Sequence, residues 1–298
     1  MSTTTRFGIW LALIGTLTLT PDALFMRLSG MNGFQMAAWR GLLMGGVMIL
    51  GWLIFSRTRR IDLAVLRTGP GIGIVVCQVF NSILFCLGIA LAPAMVVLLG
   101  VATVPVFAAL FAWMFMGERA SLATWITILA VMAGIVFAVS DDNAGGVALD
   151  RVSALGALFG LGVAVVLATN FVVLRAQPQV PIPLAIGLGA LVAGSFSLWI
   201  TGPEAMMQGE VWAMALTGGL VLPLSFFLLS LASRHTQAAN VSLLMLLETV
   251  LGPLWVWLGI GEEPTARMII GGIFVVVVLA LYLLAEARRK SGPKARVS

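Results

Sequence analysis

A chain of 298 residues that is 60% hydrophobic and 10% charged, with a mean hydropathy of +1.09, has too little polar surface for a soluble body of its size, where roughly 25% charged residues are usual. Its net charge of +5 is spread over short loops and one tail without interleaved stacking aromatics, which excludes a nucleic-acid partner. One histidine (His235), one tyrosine (Tyr282) and two cysteines in a single apolar run (Cys77 and Cys86) exclude a disulfide framework, a metal cluster and histidine-based catalysis.

Crossing hydrocarbon takes roughly 20 mostly apolar residues. Runs of that kind occupy positions 7–27, 34–55, 69–91, 94–116 and 121–140, then 153–175, 182–200, 211–232, 237–260 and 265–286. Lipid offers backbone amides no hydrogen-bond partners, so each run is expected to be a helix. The punctuators between them, such as Arg57-Thr58-Arg59-Arg60 and Gly117-Glu118-Arg119, are too short to fold alone. The first run follows Arg6 as a secretory signal would, but it has no small-x-small cleavage site and reads as a retained span.

Basic residues orient the spans. With ten spans and a cytoplasmic N-terminus, 13 of the 17 basic residues fall inside, among them Arg57, Arg59, Arg60, Arg175, Arg234 and Lys290. The acids Asp141, Asp142, Asp150, Glu204, Glu210, Glu262 and Glu263 fall outside. Both termini are expected in the cytoplasm of a bacterial cell, with the chain in the inner (plasma) membrane.

The chain also aligns with itself. A shift of 144 places Trp113 on Trp257, Ala94 on Ala238, Val104 on Glu248 and Gly117-Glu118 on Gly261-Glu262. A shift of 148 places Gly8 on Gly156, Asp22 on Asn170, Arg27 on Arg175 and Gly41 on Gly189. The expected fold is an all-α integral membrane protein of ten transmembrane helices in two five-helix repeats, 1–140 and 153–286. A connector (141–152) would join them and a basic tail (287–298) would follow. An odd number of helices per repeat inserts the second copy upside down, the inverted topology of secondary transporters, whose substrate site lies near the midplane between repeats.

The segment Ala94-Met95-Val96 leading through Val104-Pro105-Val106-Phe107 to Gly117-Glu118-Arg119, with its echo from Leu247-Glu248-Thr249-Val250 to Gly261-Glu262-Glu263, resembles the EamA-type drug/metabolite transporters over nearly the whole chain. The resemblance implies export of amino acids, drugs or other metabolites, or carriage of nucleotide sugars. The length and the lack of appended domains are similar to the bacterial aromatic amino acid exporters (YddG-like). Thr249 stands where the family commonly has proline, with Pro253 one turn later, so any kink is expected to be displaced by about a turn.

Polar groups at membrane depth are costly and tend to face a bundle interior or a wet cavity. Gln78, Asn81, Ser82 and Phe85 share a face of the third span, and Thr103 lies at a similar level in the fourth. Ser225 in the eighth span and Ser242 and Glu248 in the ninth repeat the theme. These eight are the candidate substrate-lining residues, with spans 1, 3, 4, 6, 8 and 9 around the cavity and spans 5 and 10 as buttresses. Hydroxyls and amides in membrane helices also simply bond neighbouring helices, and that reading stays open for each. Asp22 and Arg40, in the outer thirds of spans 1 and 2, read as a structural ion pair or an outer gate. The Gly-x-x-x-Gly pairs Gly41–Gly45, Gly69–Gly73 and Gly156–Gly160 read as close helix packing. With no phosphate loop, direct ATP drive is excluded.

No cofactor or metal is expected. The expected partners are a small-molecule substrate and membrane lipid; the sequence leaves open whether the chain acts as a monomer or an oligomer. A membrane-embedded enzyme would need paired acids, a Ser/His constellation or a metal; a channel would usually show rings of like groups from several subunits. A secondary carrier exporting amino acids, aromatic or apolar ones foremost, is the leading reading, beside a drug or nucleotide-sugar carrier or a solute channel.

Overall fold

The computed structural model describes residues 3–92, 94–139, 151–261, 263 and 266–289, which form helices joined by short turns and contain no strand. Residues 141–150 of the expected connector 141–152, Glu262 and the tail from Lys290 onward lie outside the described residues; Arg151 and Val152 belong to the helix of span 6 rather than to a connector. Among the described residues, nine helices are long and apolar enough to cross a membrane. Spans 1 to 4 are Thr5–Ser29, Gly33–Phe55, Gly69–Leu91 and Val96–Met116, and spans 6 to 10 are Ala154–Ala176, Ile182–Thr201, Val211–His235, Ala238–Ile260 and Ala266–Ala285. Span 5 is the shorter apolar helix Leu122–Phe137. An additional short helix, Arg59–Leu66, buries no residue and lies between spans 2 and 3.

Contacts sort the loops into two ends. At one, Arg175 at the close of span 6 grips Glu118 after span 4 and donates to the Thr236 carbonyl before span 9; Arg234 donates to the Val180 carbonyl. At the other, the turn before span 2 meets the loop before span 8: Gln35 donates to the carbonyls of Ala205 (2.7 Å) and Gln208 (2.6 Å), and Trp39 to that of Met206 (2.8 Å). The arginines concentrate at the first end, called the basic end below.

Small residues set the closest approaches. A Cβ on Gly41 would sit 2.6 Å from the Ala190 carbonyl oxygen and 2.7 Å from Gly194, and one on Gly45 would sit 2.7 Å from the Gly187 carbonyl oxygen. Spans 2 and 7 therefore touch backbone to backbone, which lets dispersion and weak polar contacts replace a hydrophobic drive that lipid cannot supply. Gly160 does the same against Val97 and Gly100 of span 4, while Gly156 packs closely on the Ala92 side chain. Gly69 and Gly73 do not: an added Cβ there meets nothing within 4 Å, so the expectation of close packing fails for that pair. The spacing alone does not show which way a helix face points. Spans 5 and 10 pack on each other through Gly134 against Phe274 and Val275.

Three spans are interrupted. In span 1 the first helix ends at Leu19 and a second runs Asp22–Ser29; Pro21 cannot donate to the preceding turn. The equivalent span 6, with Thr169 at that position, runs unbroken through Arg151–Ala176. Span 4 breaks between Ala94–Val101 and Val104–Met116, and span 9 between Ala238–Met245 and Leu247–Ile260. Ala102 and Leu246, in the two breaks, are 144 positions apart, so the interruption belongs to the repeat. The helix continues through Pro253, and the break in this span falls earlier, at Leu246. Span 8 carries a π segment, Thr217–Val221, ahead of Pro223, a register change that accommodates the missing proline donor.

Candidate functional site

Helix ends in the middle of a bundle leave backbone amides unsatisfied and present a partial positive charge. Two of the three breaks place an acid there: Asp22 lies in the first turn of Asp22–Ser29, and Glu248 in the first turn of Leu247–Ile260. Thr20 accepts from the Trp255 indole at 2.9 Å, tying the break in span 1 to span 9. From span 2, held at its start by the Asn32–Gln35 capping box, Arg40 reaches Asp22 at 2.6 Å. Both residues are buried, and the guanidinium lies 5.6 Å from the centre of the Phe85 ring, within cation–π range.

These groups line one cavity. Its wall takes Leu19 and Asp22 from span 1, Arg40 and Met44 from span 2, and Gln78, Asn81, Ser82 and Phe85 from span 3. Leu98, Val101 and Val104 come from span 4, Val163 and Leu167 from span 6, Leu222 and Phe226 from span 8, and Ser242, Leu246, Glu248 and Thr249 from span 9. Spans 5 and 10 contribute nothing to it. The free volume is about 50 Å³, room for roughly three or four waters, so the conformation is a contracted one that must widen to admit an organic solute.

Six of the eight candidate lining residues meet here: Gln78, Asn81, Ser82, Phe85, Ser242 and Glu248. Gln78 donates to Ser82 at 3.2 Å while its carbonyl oxygen is buried without a partner, an acceptor left for something in the cavity. Ser242 bonds the Ala238 and Ala239 carbonyls of its own helix. Thr103 and Ser225 are elsewhere. Thr103 bonds the Gly100 carbonyl at the break in span 4, and Ser225 is fully buried against the Leu222 carbonyl. Hydroxyls satisfied by the preceding turn need no cavity.

Asp22 and Arg40 form an ion pair, and it sits in the wall of the same cavity as Gln78 and Glu248. Counting residues along span 2 put Arg40 in its outer third and left that span out of the lining. Met44, one turn from Arg40, and Phe226, next to Ser225, were equally missed. The signal that could have found Met44 is the helical spacing from Arg40, once Arg40 is known to face inward.

Chemically, the site offers one cation, two carboxylates, two amides and two phenyl rings within an apolar wall. That combination can hold a charged or zwitterionic solute at several points. Among the described residues there is no group of three or more potential metal ligands.

Comparison with known proteins agrees with this architecture. A solved structure described only as "Crystal structure of protein" superposes with a TM-score of 0.77 over 96% of this chain and 99% of its own, at 20% identity, a likeness of fold. The Pseudopaline exporter CntI of one Pseudomonas aeruginosa strain is 26% identical over 189 residues, covering 63% of this chain and 64% of the relative. Its counterpart in a second strain is 27% identical over 191 residues, with the same coverage; the match thus spans just under two thirds of these relatives. The sequence model of the EamA-like transporter family matches residues 6–140 and again 154–284, the two halves that the internal alignment separates. The chain belongs to the EamA-like transporter family.

Proposed function

We propose that the chain exports small zwitterionic solutes, amino acids with aromatic or apolar side chains foremost, by alternating access around the central cavity. The observation that carries this reading is the mixed-sign lining, with Arg40 and Asp22 in contact, Glu248 across from them, the free acceptor of Gln78 nearby, and Phe85 and Phe226 among aliphatic residues. A substrate carboxylate would take over donors of Arg40 as the cavity widens, its ammonium would lie toward Asp22 and Glu248, and its side chain would rest on the rings. Carboxylate and ammonium are then each matched by opposite charge in a low-dielectric site, where mismatched solutes leave a buried group unpaired.

Two matched halves of five spans each would insert in opposite senses, with both termini on the basic, cytoplasmic side. Rocking of one half against the other would expose the cavity to each side in turn. Glu248 is the candidate for a coupling proton, as an ionisable group at membrane depth on the cavity wall. The name of the matched relatives supports export as the direction.

The test is counterflow into proteoliposomes with a panel of amino acids, sugars, cationic drugs, a nucleotide sugar and pseudopaline. Saturable uptake of aromatic amino acids, accelerated by the same solute loaded on the opposite side, is expected. Exchange of the nucleotide sugar with none of the amino acids would overturn the substrate class, and flux without saturation would overturn the carrier mechanism.

A further inference from the structure

The bundle has a second recess besides the central cavity. On its flank a groove of about 740 Å³ runs between span 2, the start of span 7 and span 8. Val47, Leu220, Leu224 and Phe227 give it apolar walls, while Gly51 and Gly219 leave it wide, since an added Cβ at either would meet nothing within 4 Å. Polar groups gather at one end only, where Ser56, Asp62 and Arg234 reach the basic end of the bundle. From Gly219 to Arg234 span 8 covers roughly 22 Å at 1.5 Å per residue. A single leaflet contributes about 15 Å of hydrocarbon, half of a 30 Å core, before the headgroup layer begins. The groove therefore runs from mid-bilayer to one interface.

Its polar end is incompletely satisfied. Arg234 donates through one terminal nitrogen to the Val180 carbonyl, while its Nε is buried with no partner. Asp62 accepts from the Trp52 indole at 2.8 Å, Ser56 at 2.5 Å and Thr58 at 3.2 Å, which occupies three of its roughly four lone-pair sites. One cationic donor with spare hydrogens and one anion with a spare acceptor thus sit at the mouth of an apolar slot.

We propose that the groove is a binding site for one bilayer phospholipid with a phosphate and a primary ammonium in its headgroup, that is, a phosphatidylethanolamine. One acyl chain lies between spans 2 and 8, the phosphate accepts from Arg234, and the ammonium donates to Asp62. Phosphatidylglycerol, with the same phosphate, would place a neutral glycerol at Asp62 and forgo the ion pair, so the charges favour the zwitterionic lipid. The bound chain covers apolar walls that the protein itself does not fill.

The test is native mass spectrometry of the full chain released from nanodiscs of equal phosphatidylethanolamine and phosphatidylglycerol. One retained phosphatidylethanolamine per chain is expected. Retention should fall at least tenfold in Gly219→Phe, whose ring fills the slot, and in Arg234→Gln. It should be unchanged in Gly73→Phe, since Gly73 also faces open space but does not line the groove. Asp62→Asn should erase the preference between the two lipids. No retained lipid, equal retention of both by the unaltered chain, or retention unaffected by Gly219→Phe overturns the proposal. So does a dimer that Gly219→Phe dissociates, which would assign the groove to a second copy.

Discussion

Arg40 and Asp22 stabilise each other only as a pair. Removing one partner of a buried ion pair strands the other charge, at a cost of about 3–5 kcal/mol, whereas removing both takes away the penalty along with the attraction. Arg40→Gln is expected to lower the melting temperature of the detergent-solubilised chain by many degrees, and Asp22→Asn with Arg40→Gln to recover most of that loss. The double variant should still fail to exchange zwitterions, because the cation for their carboxylate is gone. Thermal unfolding and counterflow, measured on the same preparations, separate the two effects. Glu248 faces a different trial. If it carries a coupling proton, Glu248→Gln flattens the pH dependence of transport, and an unaltered profile would leave it a packing residue. At the surface, burial of Asp62 pushes its pKa up, but hydrogen bonds from Ser56, Trp52 and Thr58 together outweigh this and hold it below its ordinary value of 3.8. A depressed carboxylate contributes stability that is complete above its unfolded pKa and is lost as pH falls through the folded one. The fluorescence difference between the chain and its Trp52→Phe variant should therefore hold steady down to about pH 3.8 and change only below it.

The helices differ in how far the sequence discloses them. Their existence and ends follow from uninterrupted apolar runs and from charged or glycine-bearing turns, so the ten expected ranges lie within a few residues of the observed ones. The breaks are another matter. Pro21 marks the one in span 1, and Pro105, in the first turn of Val104–Met116, marks the one in span 4. Leu246 carries no such signal, and its interruption has a tertiary cause. The same applies to lining residues: Gln78 and Asn81 were legible because an amide in lipid is expensive on any face, while Thr103 and Ser225 misled because a hydroxyl satisfies itself on its own helix. Glycine spacing was ambiguous for a similar reason, and it yields a paired prediction. Gly41→Ala forces a methyl to within 2.6 Å of the Ala190 oxygen, an overpacking that costs about 1–3 kcal/mol. Gly73→Ala meets open space and should leave the melting temperature unchanged or slightly higher. Equal effects from the two would show that the close approach of spans 2 and 7 is not needed.

Across the whole molecule, the basic end is laced together by a continuous polar chain. Glu118 receives both Nε and Nη2 of Arg175, whose Nη1 donates to the Thr236 carbonyl at 2.7 Å. Thr236 also accepts from Asn240, Asn240 from Tyr282, and Tyr282 in turn meets Thr124 and through it Ser121. The chain joins spans 4, 5, 6, 9 and 10, and so both repeats. In the proposed alternation, such a tie would set how often the basic end is closed. The Glu118–Arg175 side chains are 28% and 20% exposed, so solvent discounts the pair toward the surface range of about 1 kcal/mol. Losing that much shifts the equilibrium by roughly fivefold. In a background lacking Cys77 and Cys86, a cysteine at Ser242 on the cavity wall should react about five times faster with an impermeant thiol reagent applied from the basic side when Glu118→Gln is added. Unchanged reactivity from that side would mean that the tie holds the fold together without governing access. The sequence repeats both halves of the tie, Arg27 answering to Arg175 and Glu262 to Glu118, as the proposed closing of each end in turn would require.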